Sequence, residues 1–308
     1  MTYPPSVSIT EVGPRDGLQS ENQVLSTQEK IELITALSSA GLPSIQVTSF
    51  VHPRVVPQLA DAEDLLAGLP PAETTTYTAL TLNRKGVERA AGCGLRSVEV
   101  SVSASDAHSR RNAGMTSQEA LDQAADMVAL ARRQGMDWIR GSIQCVFGCP
   151  IEGRIPIQRI AEMAARFKGY GLDCLVLADT AGIADPHQVR TTVARVLEAT
   201  GDLPLGLHLH DTFGLGLVNL MAGLEMGISR FDTALGGMGG CPFVPGAAGN
   251  IATEDSVFLL ERLGLATGVD IAGVAAWTAR LQERFGKAFP GRVTDRLLKI
   301  FGGCAAKA

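Results

Sequence analysis

The sequence predicts an α/β fold of the TIM-barrel class, a (β/α)8 barrel with additional C-terminal helices. Short β-branched or aliphatic runs alternate with amphipathic patterns, and eight such units occupy about 240 residues. No run is followed by the GxGxxG turn typical of an open dinucleotide-binding sheet. We therefore predict a single barrel domain over residues 1–308, with the barrel at about 6–265 and a helical extension at about 266–308.

The predicted strands are short runs rich in Val, Ile, Leu and Thr. In chain order they cover residues 7–12, 44–50, 75–81, 97–103, 138–147, 174–179, 205–210 and 230–235. Apolar residues three and four positions apart predict helices between them, for example at 27–40, 117–134 and 157–170. A glycine directly follows each of these three helices, at the position where a helix commonly ends.

Composition and charge exclude several classes of protein. The 308 residues are 45% hydrophobic, which is enough apolar material for one large core, and the formal net charge is −5. An acidic chain without a basic run does not indicate nucleic-acid binding. No apolar stretch has the length of a membrane span, and the first residues lack the pattern of a targeting leader, so we expect a cytoplasmic protein with no membrane partner.

Polar residues concentrate where the predicted strands end. Active sites of TIM barrels lie at the carboxyl ends of the strands, so side chains far apart in the chain are expected to meet there. The residues at these positions are Arg15, Asp16, Ser49, Asn83, Ser103, Asp179, His208, His210 and Asn250.

The most specific short feature is the pair His208 and His210 in the seventh predicted strand. Residues two apart on a strand share a face, so both imidazoles can bind one metal ion. No cysteine pattern accompanies them, which disfavours a structural zinc site. If Asp16 and Asn250 supply oxygen ligands, the mixed nitrogen and oxygen set suits Mg²⁺ or Mn²⁺. The alternative is a pair of hydrogen-bonded histidines in a polar pocket.

A glycine-rich loop follows the eighth predicted strand. Residues 236–250 read GGMGGCPFVPGAAGN, with six glycines in fifteen positions. Such a loop at the catalytic face can bring the thiol of Cys241 to a bound substrate as a proton donor or acceptor. The alternative interpretation is a thiol that packs beneath a flexible loop.

Several segments together resemble the hydroxymethylglutaryl-CoA lyases, a family of DRE-TIM metallolyases. They are EVGPRDGLQ at 11–19, TSFVHP at 48–53, VPQ at 56–58, CP at 149–150, EG at 152–153, HLHD at 208–211, the loop at 236–250, and ATED at 252–255. The likeness spans nearly the whole chain in the same order. The loop that contains Cys241 is the most specific of these segments.

The resemblance implies a role for each matching residue. Asp16, His208, His210 and Asn250 would bind a divalent cation, Mg²⁺ or Mn²⁺. Arg15 would neutralise negative charge on the thioester oxygen. Cys241 would donate a proton to the resulting enolate, while either Asp16 or a metal-bound water would take the substrate hydroxyl proton.

The implied reaction is a retro-Claisen-type cleavage of 3-hydroxy-3-methylglutaryl-CoA to acetyl-CoA and acetoacetate, usually within leucine degradation. The acyl-CoA substrate is the expected partner, and the family suggests a homodimer. We expect substrate contacts from residues in the first motif and at the strand ends, namely Arg15, Gln19, Ser49, Asp179 and Thr180.

The sequence departs from the family at Gln46. The family carries a catalytic glutamate at this position of the second strand, and an amide can neither hold its charge nor accept a proton as it does. We hypothesise that Gln46 changes specificity more than it removes catalysis. The alternatives are a lyase for a related ester such as citramalyl-CoA, which would give acetyl-CoA and pyruvate, an acetyl-CoA-condensing synthase, and a non-catalytic barrel that binds metal and CoA.

Overall fold

The computed structural model describes residues 3–240, 248–297 and 299. Within these ranges eight parallel strands form a closed barrel in chain order, with β8 paired to β1. The strands are β1 Ser8–Glu11, β2 Ser44–Ser49, β3 Thr76–Thr81, β4 Ser97–Ser103, β5 Trp138–Gln144, β6 Cys174–Asp179, β7 Leu205–Leu209 and β8 Arg230–Thr233. The predicted TIM-barrel class is confirmed.

Helices surround the barrel and follow it. They are α1 Thr27–Ser39, α2 Ala62–Gly68, α3 Arg84–Gly92, α4 Asp106–Ala113, α5 Ser117–Arg133, α6 Ile157–Gly169, α7 Pro186–Thr200, α8 Gly216–Glu225, α9 Thr253–Arg262 and α10 Ile271–Phe285. The last of these, α10, lies in the predicted C-terminal extension. Among the described residues, no helix is both long and apolar enough to cross a membrane.

Local signals explain where these helices begin and end. A capping box opens α1, in which Ser26 and Glu29 exchange hydrogen bonds, and boxes of the same kind open α5 and α7. The glycines predicted to end three helices, Gly41, Gly135 and Gly171, adopt φ values of +82°, +81° and +83°. Glycine enters this left-handed region without the steric penalty that a Cβ atom imposes.

Among the strands that end earlier than predicted, β5 shows the largest difference. The aliphatic run of the fifth strand continues to residue 147, but β5 ends at Gln144. The next residue, Cys145, has a φ of +58°, which a strand cannot contain. The backbone therefore leaves the sheet here, and the Cys145 amide donates a hydrogen bond to Thr180 Oγ1 (2.9 Å) instead.

The strands place apolar side chains outward and polar side chains inward. In β4, Val98 and Val100 are fully buried within the hydrophobic core, whereas Glu99 between them faces the barrel interior and lines a cavity there. Arg140 of β5 and Asp232 of β8 are likewise buried charged residues. The interior of this barrel is therefore polar, unlike the branched aliphatic layers common in TIM barrels.

Glu11 connects the start and the end of the barrel. Its Oε1 accepts hydrogen bonds from the amides of Gly13 (2.7 Å) and Leu235 (3.0 Å), and its Oε2 bonds Thr253 Oγ1 (2.6 Å). Burial raises the pKa of Glu11 to about 8, despite the lowering effect of these hydrogen bonds. Glu11 therefore has a structural role at the junction of β1 and β8.

Removing this acceptor is expected to destabilise the barrel. We expect Glu11→Ala to lose about 3 kcal/mol of unfolding free energy, because two buried amides lose their acceptor. Glu11→Gln should lose less than about 1 kcal/mol at pH 7, since it matches the protonated side chain in shape and charge. Urea unfolding followed by circular dichroism measures both values, and equal losses in the two variants would contradict this role.

A comparison of wild type with Glu11→Gln tests the protonation of Glu11. Because its folded-state pKa is raised, the stabilisation from its proton is complete below about pH 4.5 and is lost as the pH rises to about 8. Wild type should therefore lose stability relative to Glu11→Gln over this interval. A difference in unfolding free energy that stays constant across this pH interval would contradict the raised pKa.

Candidate active site

A cavity of about 610 Å³ opens at the carboxyl ends of the strands. Seven residues predicted to form the site are among those that line it: Arg15, Asp16, Gln19, Asn83, Thr180, His208 and His210. They come from the loops or strand ends of β1, β3, β6 and β7. Closure of the sheet thus places residues from both halves of the chain around one space.

Asp16, His208 and His210 form the one group of possible metal ligands found among the described residues. One candidate ligand atom from each residue lies within 4.8 Å of the other two. The two Nε2 atoms are 3.1 Å apart, and Asp16 Oδ2 lies 4.0 Å from His208 Nε2 and 3.9 Å from His210 Nε2. The chain therefore has a possible metal-binding site.

Asn250 completes this cluster from the end of the glycine-rich loop. Its backbone pairs with His210 in an isolated bridge, and its Nδ2 donates to Asp16 Oδ2 (2.8 Å) and to the Met238 carbonyl (3.0 Å). Its Oδ1 is buried without a hydrogen-bond partner in the described ranges. An unsatisfied buried oxygen beside a carboxylate and two imidazoles fits the ligand set of a divalent cation.

A glycine is needed for this approach of Asn250. Gly239 has a φ of +112°, and a Cβ atom there would lie 2.7 Å from Asn250 Nδ2. A side chain at this position would push the amide away from Asp16. Close packing against the cluster therefore explains why the loop has a glycine at position 239.

The surroundings of the cluster favour the ligand forms of Asp16 and His210. Burial would raise the pKa of Asp16, but the charge of Arg15, the neighbouring His208 and the hydrogen bond from Asn250 lower it below its ordinary value. Burial and the neighbouring His208 lower the pKa of His210 to about 3, so its ring is neutral at pH 7. Metal binding requires both a carboxylate and a neutral imidazole.

A further carboxylate supports His208. Asp232 Oδ2 lies 3.3 Å from His208 Nδ1, which leaves Nε2 directed at the cluster. Burial lowers the pKa of His208, but the hydrogen bond to Asp232 and the charge of Asp16 raise it above its ordinary value overall. A carboxylate that is hydrogen-bonded to the ring nitrogen not used for metal binding commonly orients the imidazole of a metal ligand.

The predicted substrate contacts lie in different surroundings. Gln19 Nε2 donates to Asp16 Oδ1 (3.1 Å), and Thr180 lines the cavity. The two carboxylate oxygens of Asp179 accept hydrogen bonds from the backbone amides of Ile183 and Ala184 (3.0 Å each), so this carboxylate organises the loop after β6. Ser49 is buried and absent from the described cavity lining. Cys241 lies outside the described residues.

Arg15 lines the cavity and contacts the fully buried Gln46. The Arg15 guanidinium is buried, donates from Nε to Gln46 Oε1, and pairs through Nη1 with Asp16 Oδ1. Gln46 Nε2 donates in turn to Glu99 Oε2 (3.2 Å), and Glu99 Oε2 lies 3.3 Å from Arg140 Nε. Arg15 therefore contacts Asp16 directly and is linked to Glu99 through the amide of Gln46.

Sequence reasoning missed Glu99, Arg140 and Asp232. Each interrupts a run of β-branched or aliphatic residues that predicts a strand. A charged residue in a barrel strand needs a buried partner of opposite charge, and three strands of this kind indicate a shared network.

The fold and this site define a TIM-barrel enzyme with a possible metal-binding group at its catalytic face. Comparison with known proteins agrees with that class. The HMGL-like family model matches residues 6–279. A hydroxymethylglutaryl-CoA lyase of Bacillus subtilis is 39% identical over 292 residues, which cover 95% of this chain and 97% of the relative.

Solved structures give the same result. A crystal structure of the Bacillus subtilis HMG-CoA lyase has a TM-score of 0.93 at 39% identity, over 96% of this chain and 99% of that chain. An HMG-CoA lyase from Acinetobacter baumannii, in complex with coenzyme A and 3-methylmalate, has a TM-score of 0.90 at 36% identity, over 96% of both chains. The chain belongs to the HMGL-like family and is a lyase.

The geometry of the cluster makes a binding prediction. We expect His210→Ala to weaken Mn²⁺ binding about 100-fold or more, because the variant loses a neutral nitrogen that faces Asp16 and His208. His52→Ala is the matched control, since His52 lines the same cavity outside the cluster and its loss should leave the affinity unchanged. Calorimetric titration with Mn²⁺ measures both, and equal affinities in the two variants would refute this site.

Proposed function

We propose that the protein is a divalent-metal-dependent acyl-CoA lyase that cleaves 3-hydroxy-3-methylglutaryl-CoA to acetyl-CoA and acetoacetate. One observation carries the proposal: a single cavity contains both the Asp16–His208–His210 cluster and the buried guanidinium of Arg15. The names of the relatives support the substrate, and the complex of one of them with coenzyme A supports an acyl-CoA ester.

The residues proposed to hold the cation are Asp16, His208, His210 and Asn250. Their two nitrogen and two oxygen donors favour Mg²⁺ or Mn²⁺ over a soft metal ion. When bound, such a cation supplies Lewis acidity that polarises substrate oxygen atoms. Two observations support this assignment: Asn250 Oδ1 has no hydrogen-bond partner among the described residues, and the ring of His210 is neutral.

Arg15 is proposed to stabilise the charge that develops when the carbon–carbon bond breaks. The bonding electrons move onto the acetyl-CoA fragment, whose thioester oxygen becomes an enolate oxygen. A guanidinium remains protonated under all working conditions and, when buried, is poorly screened by water. Cys241, which directly follows the cavity residue Gly240, is proposed to donate the proton that completes acetyl-CoA.

Arg111 is proposed to attract the anionic substrate. It is exposed on α4 and lines the same cavity. Since the whole chain carries a net charge of −5, the CoA phosphates and the glutaryl carboxylate need local cations such as this one. A cytoplasmic location, a single domain and a homodimer stay predictions.

The main test is turnover by the purified protein. With Mg²⁺ or Mn²⁺ present, we expect 3-hydroxy-3-methylglutaryl-CoA to disappear while acetyl-CoA and acetoacetate form in equal amounts. EDTA should reduce the rate at least about 100-fold, and added metal should restore it. Liquid chromatography of the CoA esters and an enzymatic acetoacetate assay follow both products.

Parallel reactions separate the alternatives. Faster release of pyruvate from citramalyl-CoA would reassign the substrate, and consumption of acetyl-CoA with a keto acid would indicate a synthase. Absence of turnover on every ester, with Mn²⁺ still bound, would indicate a binding protein and refute the proposal.

The proposed role of Arg111 gives a separate prediction. We expect Arg111→Ala to raise KM about tenfold with little change in kcat, because the contact is made equally in the ground and transition states. Arg110→Ala removes a neighbouring cation that is not part of the described cavity lining, so it should behave like wild type. Equal KM values in the two variants would argue against this role.

A further inference from the structure

The active-site arginine belongs to a closed circuit of buried polar contacts. From Arg15 the contacts run in turn through Gln46, Glu99, Arg140, Asp232, His208 and Asp16, and Asp16 pairs back with Arg15. Arg140 holds Asp232 with two hydrogen bonds (2.7 and 2.8 Å). Every member of the circuit except Asp16 is less than one-tenth exposed.

Glu99 determines which end of the Gln46 amide faces Arg15. With Nε2 donating to Glu99, the oxygen Oε1 is left to accept from Arg15 Nε. The reversed amide would place its NH₂ group against the guanidinium and its oxygen against a carboxylate. Both contacts would be repulsive, and burial leaves them poorly screened, so the acid selects one amide orientation.

Arg140 in turn holds Glu99 in place. The two residues are register partners on β4 and β5, and Arg140 Nη1 also donates to Thr10 Oγ1 (2.9 Å). Glu99 lines the cavity at the catalytic face, whereas Arg140 and Thr10 line a second cavity of about 250 Å³ on the opposite side. The pair therefore lies between the two cavities.

We propose that Glu99 is a positioning residue that holds Arg15 in its working orientation through Gln46. This inference rests on the proposed function of Arg15 as the group that stabilises the enolate oxygen. The negative charge that supports Arg15 on this side lies on β4, and Gln46 transmits its effect as a hydrogen-bond relay. A carboxylate at position 46 is therefore unfavourable as long as position 99 is also acidic.

Exchanging the amide and the acid provides the test. Glu99→Gln removes the charge and should lower kcat for 3-hydroxy-3-methylglutaryl-CoA about tenfold, with KM changed less than about threefold. Gln46→Glu alone should also lower kcat about tenfold, since it brings two carboxylates within hydrogen-bonding distance. The double variant Gln46→Glu/Glu99→Gln restores one acid and one amide, and we expect kcat within about threefold of wild type.

Thr10→Val is the matched control for disturbance of Arg140. It removes another contact of that guanidinium without touching Gln46, so its kcat should equal that of wild type. A loss in Thr10→Val as large as that in Glu99→Gln would overturn the proposal. So would a double variant whose loss equals the product of the single losses, or a single Gln46→Glu protein faster than wild type.

A measurement independent of turnover separates this inference from the proposed function. The Nε–H proton of Arg15, assigned in NMR spectra by its absence from Arg15→Lys, should exchange with water about tenfold faster in Glu99→Gln and at the wild-type rate in the double variant. An unchanged rate in Glu99→Gln would overturn the role of Glu99. If wild type cleaves no ester, the proposed function fails, while this exchange rate still decides the role of Glu99.

Discussion

The candidate site depends on closure of the barrel between β1 and β8. Asp16 follows β1 and Asn250 follows β8, 234 positions later, yet a hydrogen bond of 2.8 Å joins their side chains. Pairing of these two strands makes that contact possible. Glu11 stabilises the junction by accepting hydrogen bonds from the amides of Gly13 and Leu235, which follow β1 and β8. An opened barrel would separate the carboxylate of Asp16 from the imidazoles of His208 and His210 and so divide the group of possible metal ligands.

The polar interior gives the site its rigidity. Buried charges are costly unless each finds a partner of opposite charge or a hydrogen bond, and the circuit from Arg15 to Asp16 satisfies this requirement across several strands. Displacing one member leaves another charge unpaired in a medium of low polarity. A network of this kind restricts each side chain to one orientation, which is what stabilisation of a developing enolate requires.

The departure at Gln46 acquires a physical explanation in this network. Considered by itself, the amide is a lost negative charge next to Arg15, the arginine proposed to stabilise the enolate. In the folded barrel it separates that arginine from Glu99, and Glu99 is shared with Arg140. The effect of position 46 on activity therefore depends on position 99, so the specificity hypothesis drawn from Gln46 alone considered only half of a pair.

The sequence by itself determined the order of strands and helices, their polar ends, and the common face of His208 and His210, because periodicity and capping are local properties of the chain. It did not show that β5 ends at Gln144, since the left-handed backbone of Cys145 has no signal in an aliphatic run. Only the tertiary structure joined Gln46 to Glu99 and Arg140 to Asp232, at separations of 53 and 92 residues. Strand register and barrel closure decide such contacts, and both arise from packing of the whole sheet.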